Sequence, residues 1–492
     1  MQNKRDQVQA HMFLMGRLTS SMLRSDPDIA ESPQGRTNRG IAVGVIVAIL
    51  VAAGAFVLGL ISPGRQDSWQ SSGNLIVDKG TGARYLYLDG RLRPVRNYAS
   101  ARLLGGADLA TTTVGSSSLK GTPRGTPVGI TGAPDDLPAA DDLSDAPWQV
   151  CATSVPQNDG KTKLLTTLAV AHDGRDERLG KQDGLLVAAP DGTAYLLWQG
   201  SRLRLDRESA AEEALGYATV RPVPVSAAFL NAVPAGPDLA PVELSGTGTD
   251  GPRLGDRPTK VGQAFTLTVP GAEQRHYVVR EDGLAPLTAT QLALLLGDPE
   301  IRKKAYGGTA PKPGTLTSEQ LQGHLVTDTA GQKETDRLPE SPPEAVSVPE
   351  DRTPCALVTA GADGARVGVA LSSTAELGPL AQHASGVASA ACLPVDRTTV
   401  PPGRGALVRV VGAGGGELGG TVYLVTETGV KYRLTTPDAA EALGYKGVTP
   451  KDLPASMLAM LPSGPDLSPE AATAGRAAVT GPRCPAQHKD ED

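Results

Sequence analysis

The run Ile41 to Ile61, IAVGVIVAILVAAGAFVLGLI, holds 21 residues without a charge and decides where the rest of the chain works. As a helix rising 1.5 Å per residue it extends roughly 31 Å, about the thickness of a bilayer's hydrocarbon core. It reads as a single transmembrane helix, residues 41–61. A cleaved signal peptide is the alternative, with Ala53-Gly54-Ala55 resembling a cleavage site. Signal h-regions, however, are shorter, about 7 to 15 residues, and follow a short basic leader, whereas a 40-residue polar segment precedes this run. Arg36 and Arg39 flank the N-terminal side against Arg65 on the other, a positive-inside bias that places the N-terminus in the cytoplasm. About 430 residues then lie beyond the membrane, enough for two or three domains or one array of small cores.

A formal charge of -6 and 3% aromatic residues argue against nucleic acid, which calls for a basic surface and stacking platforms. All four cysteines, Cys151, Cys355, Cys392 and Cys484, follow the span, in the compartment where disulfides persist. Their spacing matches no zinc site. Four cysteines allow three pairings, which these positions alone leave open, and buried free thiols are the other reading.

One unit recurs four times. A tyrosine in an apolar strand is followed by a glycine turn, a second strand and an alanine-rich segment closed by Leu-Gly. The tyrosine and closing glycine are Tyr85 and Gly105, Tyr195 and Gly216, Tyr277 and Gly297, Tyr423 and Gly444, spaced 20, 21, 20 and 21 residues apart. So constant a spacing means one supersecondary unit reused, a β-hairpin with a helix. Its turn glycine suits a positive φ, and its closing glycine suits the left-handed residue that ends a helix. The second and fourth copies also share Ala-Leu-Gly-Tyr, at 214–217 and 442–445, and Gly-Pro-Asp-Leu, at 236–239 and 464–467.

Two stretches without a copy, about 121–188 and 350–415, alternate like strands at Lys163 to Ala171, Arg366 to Leu371 and Ala406 to Val411. They read as one central β domain split in sequence. The fold class is α+β: a transmembrane helix, then an elongated extracytoplasmic region with that split domain and four hairpin/helix repeats. The expected division is a cytoplasmic leader (1–40), the span (41–61), the first repeat (73–120), a first central segment (121–188), and the second and third repeats (189–255, 256–330). A Pro/Glu-rich linker (331–354), a second central segment (355–415), the fourth repeat (416–470) and a solvated tail (471–492) complete it. The acidic stretch Asp135 to Asp145 reads as a solvated loop. Within the leader, Val8, Met12, Met15, Leu18 and Met22 form a helical apolar stripe, suited to a partner protein or to the membrane surface.

Catalytic signals are weak. The nearest string to a phosphate-binding loop is Val155 to Thr162, ending Gly160-Lys161-Thr162, and valine replaces its first glycine. A hairpin turn is the simpler reading. Gly414-x-Gly416-x-x-Gly419 has the letters of a dinucleotide fingerprint but precedes a strand rather than a helix. Six scattered histidines form no zinc-hydrolase motif.

The block Leu92-x-Pro94-Val95-x-Asn97-x-x-Ser100-Ala101-Arg102-Leu103 resembles the EccB family of type VII (ESX) secretion systems. So do Gln7-Val8 with Phe13 and Arg17, Gly129-Ile130-x-Gly132-Ala133-Pro134, Trp148-x-x-Cys151, Val400-Pro401-Pro402-Gly403-x-Gly405, Leu443-Gly444-Tyr445 and Gly464-Pro465-x-Leu467. The resemblance implies a structural membrane subunit, assembled as a hexamer with the motor ATPase EccC, the multi-span EccD and EccE. It implies repeats similar to a cell-wall-binding phage lysin subunit, hence a peptidoglycan-anchor alternative. Members are sometimes described as ATPases, so ATP is the alternative cofactor; otherwise none is expected. The family's central disulfide maps onto Cys151 and Cys355. Cys392 and Cys484 go beyond the family's pattern and are then expected to pair with each other. For Asn97 and Arg102, ligand binding is weighed against a turn-capping asparagine and a solvated arginine.

Cysteines engineered beyond residue 65 are expected to react with impermeant reagents on intact cells, and sites near Gln34 to be protected. The reverse pattern would invert the topology.

Overall fold

The computed structural model describes residues 4–24, 33–61, 67–71, 73–170, 174, 176–326, 337–360, 365–376, 389–412, 417–480 and 484. The Gly414-Gly416 string, some of the linker and most of the tail lie outside them. The chain divides into two compact units, Met1–Ser71 with Val114–Lys120, and Ser72–Thr113 with Gly121–Asp492.

The first unit carries helices Lys4–Arg24 and Pro33–Ile61. Thr37–Val57 is, among the described residues, the one stretch long and apolar enough to cross a membrane, and none of its apolar window is covered by protein. A helix apolar on every side satisfies its own backbone hydrogen bonds, which is what hydrocarbon demands. The leader helix exposes the stripe from Val8 to Met22.

At the centre of the second unit is a six-stranded sheet. Its order is Arg397–Thr399, Thr162–Ala169, Trp148–Pro156, Arg352–Thr359, Arg366–Ser373, Glu177–Arg178. Two hairpins, drawn from stretches far apart in sequence, thus meet edge to edge. Their inner strands run antiparallel with Cys151 opposite Cys355. The two cysteines are disulfide-bonded across 204 residues with Cα atoms 4.1 Å apart, the close approach of a non-hydrogen-bonded antiparallel pair. A second disulfide joins Cys392 to Cys484.

Around this sheet stand four sheets of four strands. Each is a three-stranded meander, a helical segment and a fourth strand beside the first. The first repeat comprises Asn74–Asp78, Arg84–Leu88, Arg91–Pro94, helix Tyr98–Gly105 and strand Ala110–Val114. In the other three repeats the fourth strand is parallel to the first, which a helical crossover permits and a tight turn does not. The unit is therefore larger than a hairpin with a helix. Asp183–Ala188 and Ala406–Val411, read above as central strands, open the second and fourth repeats instead. Their apolar alternation marked them as strands but could not say which sheet they join.

Three segments read as loops or linker are also structural. Glu344-Ala345 pairs with the strand Asp183–Ala188, and Arg352–Thr359 is a central strand. Helix Pro469–Ala474 buries Ala472 completely. In the acidic stretch Asp135 pairs with Arg84 at 2.6 Å. Charge and proline content describe composition, whereas tertiary contacts recruited these backbones.

The helix of the first repeat packs on helix Pro437–Ala442 of the fourth, and helix Ala211–Ala214 of the second on Ala289–Gly297 of the third. Helices Ala227–Ala232 and Ala455–Leu458, which follow the second and fourth repeats, pack on each other. Phe229 and Met457 from them are fully buried in one core with Trp148, Val150 and Val358 of the central sheet. The order of neighbours is first repeat, fourth, central sheet, second, third. Residue correspondences repeat in the same order: Tyr85 with Tyr277, Cys151 with Cys355, Tyr195 with Tyr423. The unit is thus two halves, each repeat–hairpin–repeat, with the outer repeat of each half docked on the other half.

Replacing Cys151 and Cys355 by alanine should lower the unfolding free energy by about 2 to 5 kcal/mol, the range for removing a bond that closes a long loop. Chemical denaturation measures this. Peptide mapping without reductant should return Cys151 with Cys355 and Cys392 with Cys484.

Candidate functional site

The most distinctive sequence block, Pro94 to Leu103, builds a clamp. Asn97 takes an extended backbone and caps helix Tyr98–Gly105, its Oδ1 accepting from Ser100 N at 3.0 Å. Its Nδ2 donates to Ile130 O at 2.6 Å. Ser100 Oγ accepts from Ile130 N at 2.8 Å, and Pro94 O accepts from Val128 N at 2.8 Å. Three of the four block residues thus hold one segment, 128–130. Each bond is buried, so losing a partner leaves an unsatisfied polar group. The fourth, Arg102, is not a solvated arginine. Its guanidinium donates to Leu443 O of the fourth repeat at 3.1 Å, at the end of that repeat's helix, where a cation also complements the helix dipole. Gly444, with φ +99°, makes room: a Cβ there would lie 2.2 Å from Arg102 Nη2.

The third repeat makes the corresponding contact differently. Leu294 takes the place of Arg102 and packs into a core with Leu215, the counterpart of Leu443. Gly216 and Gly444 have the positive φ expected of closing glycines. Gly105 and Gly297 do not; they end their helices, and a Cβ would meet Leu109 Cδ1 at 2.4 Å and Ala214 Cβ at 2.3 Å. Close approach, not backbone sign, requires glycine there.

The repeated tyrosines sort into two kinds by their cross-strand partners. Tyr85 and Tyr277 face Pro94 and Pro286, whereas Tyr195 and Tyr423 face Arg204 and Arg433. Each of those arginines pairs with the aspartate of a Gly-Pro-Asp-Leu segment, Asp238 or Asp466. Two residues earlier, Arg202 donates to Leu230 O, and Lys431 donates to Leu458 O and, at 2.9 Å, to Leu461 O. A cation therefore satisfies carbonyls at the end of each central helix. Lys431 is 2% exposed, and burial pulls its ammonium down to about 8. The shared Ala-Leu-Gly-Tyr has a similar basis: Tyr217 OH donates to Pro343 O at 2.7 Å and Tyr445 OH to Pro138 O at 2.9 Å. Burial pushes the Tyr217 hydroxyl up to about 12 and raises that of Tyr445 as well. Each bond ties a repeat to the segment entering a central strand of the other half.

Gly160-Lys161-Thr162 lies on the hairpin between the central strands Trp148–Pro156 and Thr162–Ala169. Gln157 N donates to Lys161 O at 2.7 Å, Gly160 N to Gln157 O at 3.1 Å, and Lys161 N to Asp159 Oδ1 at 3.0 Å. The backbone donors a phosphate would use are engaged within the turn, one of them by a carboxylate. Among the described residues no group of three or more His, Cys, Asp or Glu is placed to hold a metal.

A family model described as "Type VII secretion system ESX-1, transport TM domain B" matches residues 2–480, and the chain belongs to this family, EccB. "ESX-3 secretion system ATPase EccB3" of Mycolicibacterium smegmatis is 29% identical over 480 residues, covering 94% of this chain and 89% of the relative. Among solved structures, one described as "Structure of EccB3 dimer from the ESX-3 core complex" is similar with TM-score 0.65 and 27% identity, covering 81% of this chain and 99% of that one. A chain of an intact ESX-5 inner membrane complex shares the fold, with TM-score 0.66, 24% identity and coverage of 99% and 98%.

The Lys431 amine binds its proton more weakly when folded than when unfolded, so the unfolded chain holds more protons between about pH 8 and its ordinary 10.5. Stability from this group is present at high pH and lost as pH falls through 8. Raising the pH from 8 to 10, below ordinary tyrosine ionisation, should add on the order of 2 kcal/mol, and Lys431→Met should abolish that increment. Thermal unfolding across this window is the measurement.

Proposed function

We propose that this chain is the EccB-type structural subunit of a type VII secretion complex in the cell membrane. Thr37–Val57 anchors it, the leader lies in the cytoplasm, and the β unit scaffolds the extracytoplasmic side in an elongated array. The whole-length family match carries this reading, together with a span that has no protein cover of its own. The partners are the motor ATPase EccC, EccD and EccE, with further copies of the chain in a hexamer. Solved relatives within a dimer and an inner membrane complex support assembly of this kind.

In the second unit, Val269, Leu325 and Val479 are the large apolar side chains exposed among the described residues. Such a surface favours side-by-side contacts that gain their strength from anchoring, through effective concentration, rather than from apolar burial. Contact with the cell wall is compatible with this arrangement.

The names of relatives carry the word ATPase. For this chain we favour no ATP site at Gly160-Lys161-Thr162, because Asp159 already accepts from the Lys161 amide. Purification in mild detergent should bring down a motor ATPase and further membrane subunits; recovery of the chain alone would overturn the scaffold reading. Lys161→Ala in the full-length chain should leave any ATP turnover unchanged, and its loss with folding intact would promote the enzyme reading.

A further inference from the structure

The two arms of the array are counterparts, yet one is closed by its own chain and the other is not. After the fourth repeat, Ser468 Oγ accepts from Ala471 N at 3.1 Å and starts helix Pro469–Ala474. Ala472 is fully buried in a core shared with Ala99 and Ala133, and its carbonyl accepts from Gly129 N at 2.9 Å. The frame recurs after the second repeat as Gly236-Pro237-Asp238-Leu239-Ala240-Pro241. Ala240 stands where Ser468 does and has no hydroxyl to cap a helix, and Pro241 to Leu244 carries none. Val242 and Leu244 pack on the third repeat's core instead. The counterparts of Ala99 and Ala133 are Gln291 and Leu338, and both line a cleft of about 890 Å³ running along residues 235–244.

We propose that this cleft seats a short, alanine-rich helix of a partner protein, opened by Ser or Thr and proline, as Pro469–Ala474 is seated in the opposite arm. The internal helix is the template for the occupant. It presents small side chains at the contact, so its backbone approaches closely, and its cap hydroxyl satisfies one of the amides that a bare helix start leaves open. The cleft walls offer Val278, Leu287 and Leu338 to the alanine face. Asp238 in the wall is engaged by Arg204, and Arg280 and Arg337 outnumber Glu243 at the lining, which suits an acidic first turn such as Glu470 supplies.

The test titrates the full-length chain in detergent with a fluorescent peptide copying Asp466 to Arg476, followed by anisotropy. Saturable binding is expected, displaced by unlabelled peptide and not by a scrambled one. Pro286→Trp and Arg337→Trp, at exposed lining positions where folding is not at risk, should each weaken it by about tenfold or more. Arg91→Trp, on the first repeat, should leave it unchanged. Absence of saturable binding, equal binding of the scrambled peptide, or indifference to both cleft tryptophans would overturn the proposal. Self-association that the cleft tryptophans abolish, without peptide binding, would assign the cleft to a second copy of the chain and overturn it as well.

Discussion

Everything beyond the membrane helix depends on one antiparallel pairing, that of Trp148–Pro156 with Arg352–Thr359. Each strand belongs to a hairpin that alone would expose two sheet edges, and two-stranded ribbons are marginal in water. Pairing them yields a six-stranded sheet whose outermost strands are only three and two residues long. The Cys151–Cys355 bond sits at the middle of that seam. Because the outer repeats dock across it, Arg102 on the fourth repeat and Leu294 on the second, opening the seam would strain both arms.

The duplication shows how one geometry is kept while its chemistry drifts. Arg102 reaches a carbonyl where Leu294 fills a hydrophobic core, and Arg202 and Lys431 neutralise helix ends with different cations. The third- and fourth-repeat helices end by different routes, Gly297 through close packing and Gly444 through positive φ beside a guanidinium. What is retained is the set of satisfied buried groups, since an unmet carbonyl or hydroxyl is costly whichever residue meets it. Where a capping hydroxyl was not retained, at Ala240, the helix is missing and the cleft lies open.

Much of the candidate site was visible as residues but not as partners. Asn97 before an alanine-rich segment announces a cap, yet nothing in the sequence ties its amide to Ile130. The repeated Leu-Gly-Tyr pointed at Tyr217 and Tyr445, but not at Pro343 and Pro138, whose carbonyls they meet 126 and 307 residues away. Arg102 looked solvated because a lone arginine usually is, and only its docking on the fourth repeat reveals the acceptor.

The sequence by itself determined the membrane span, the recurring turn and helix-closing glycines, and the central domain's split, because length, local backbone demands and strand alternation act within a few tens of residues. Tertiary structure alone decided that Asp183–Ala188 and Ala406–Val411 open repeats rather than extend the core, and that the arms cross between halves. Strand periodicity tells which face is buried and is silent on which edge it pairs with. That choice is made by contacts closing loops of some 200 residues, as Cys151 and Cys355 do across 204, and such contacts leave no mark in any local window.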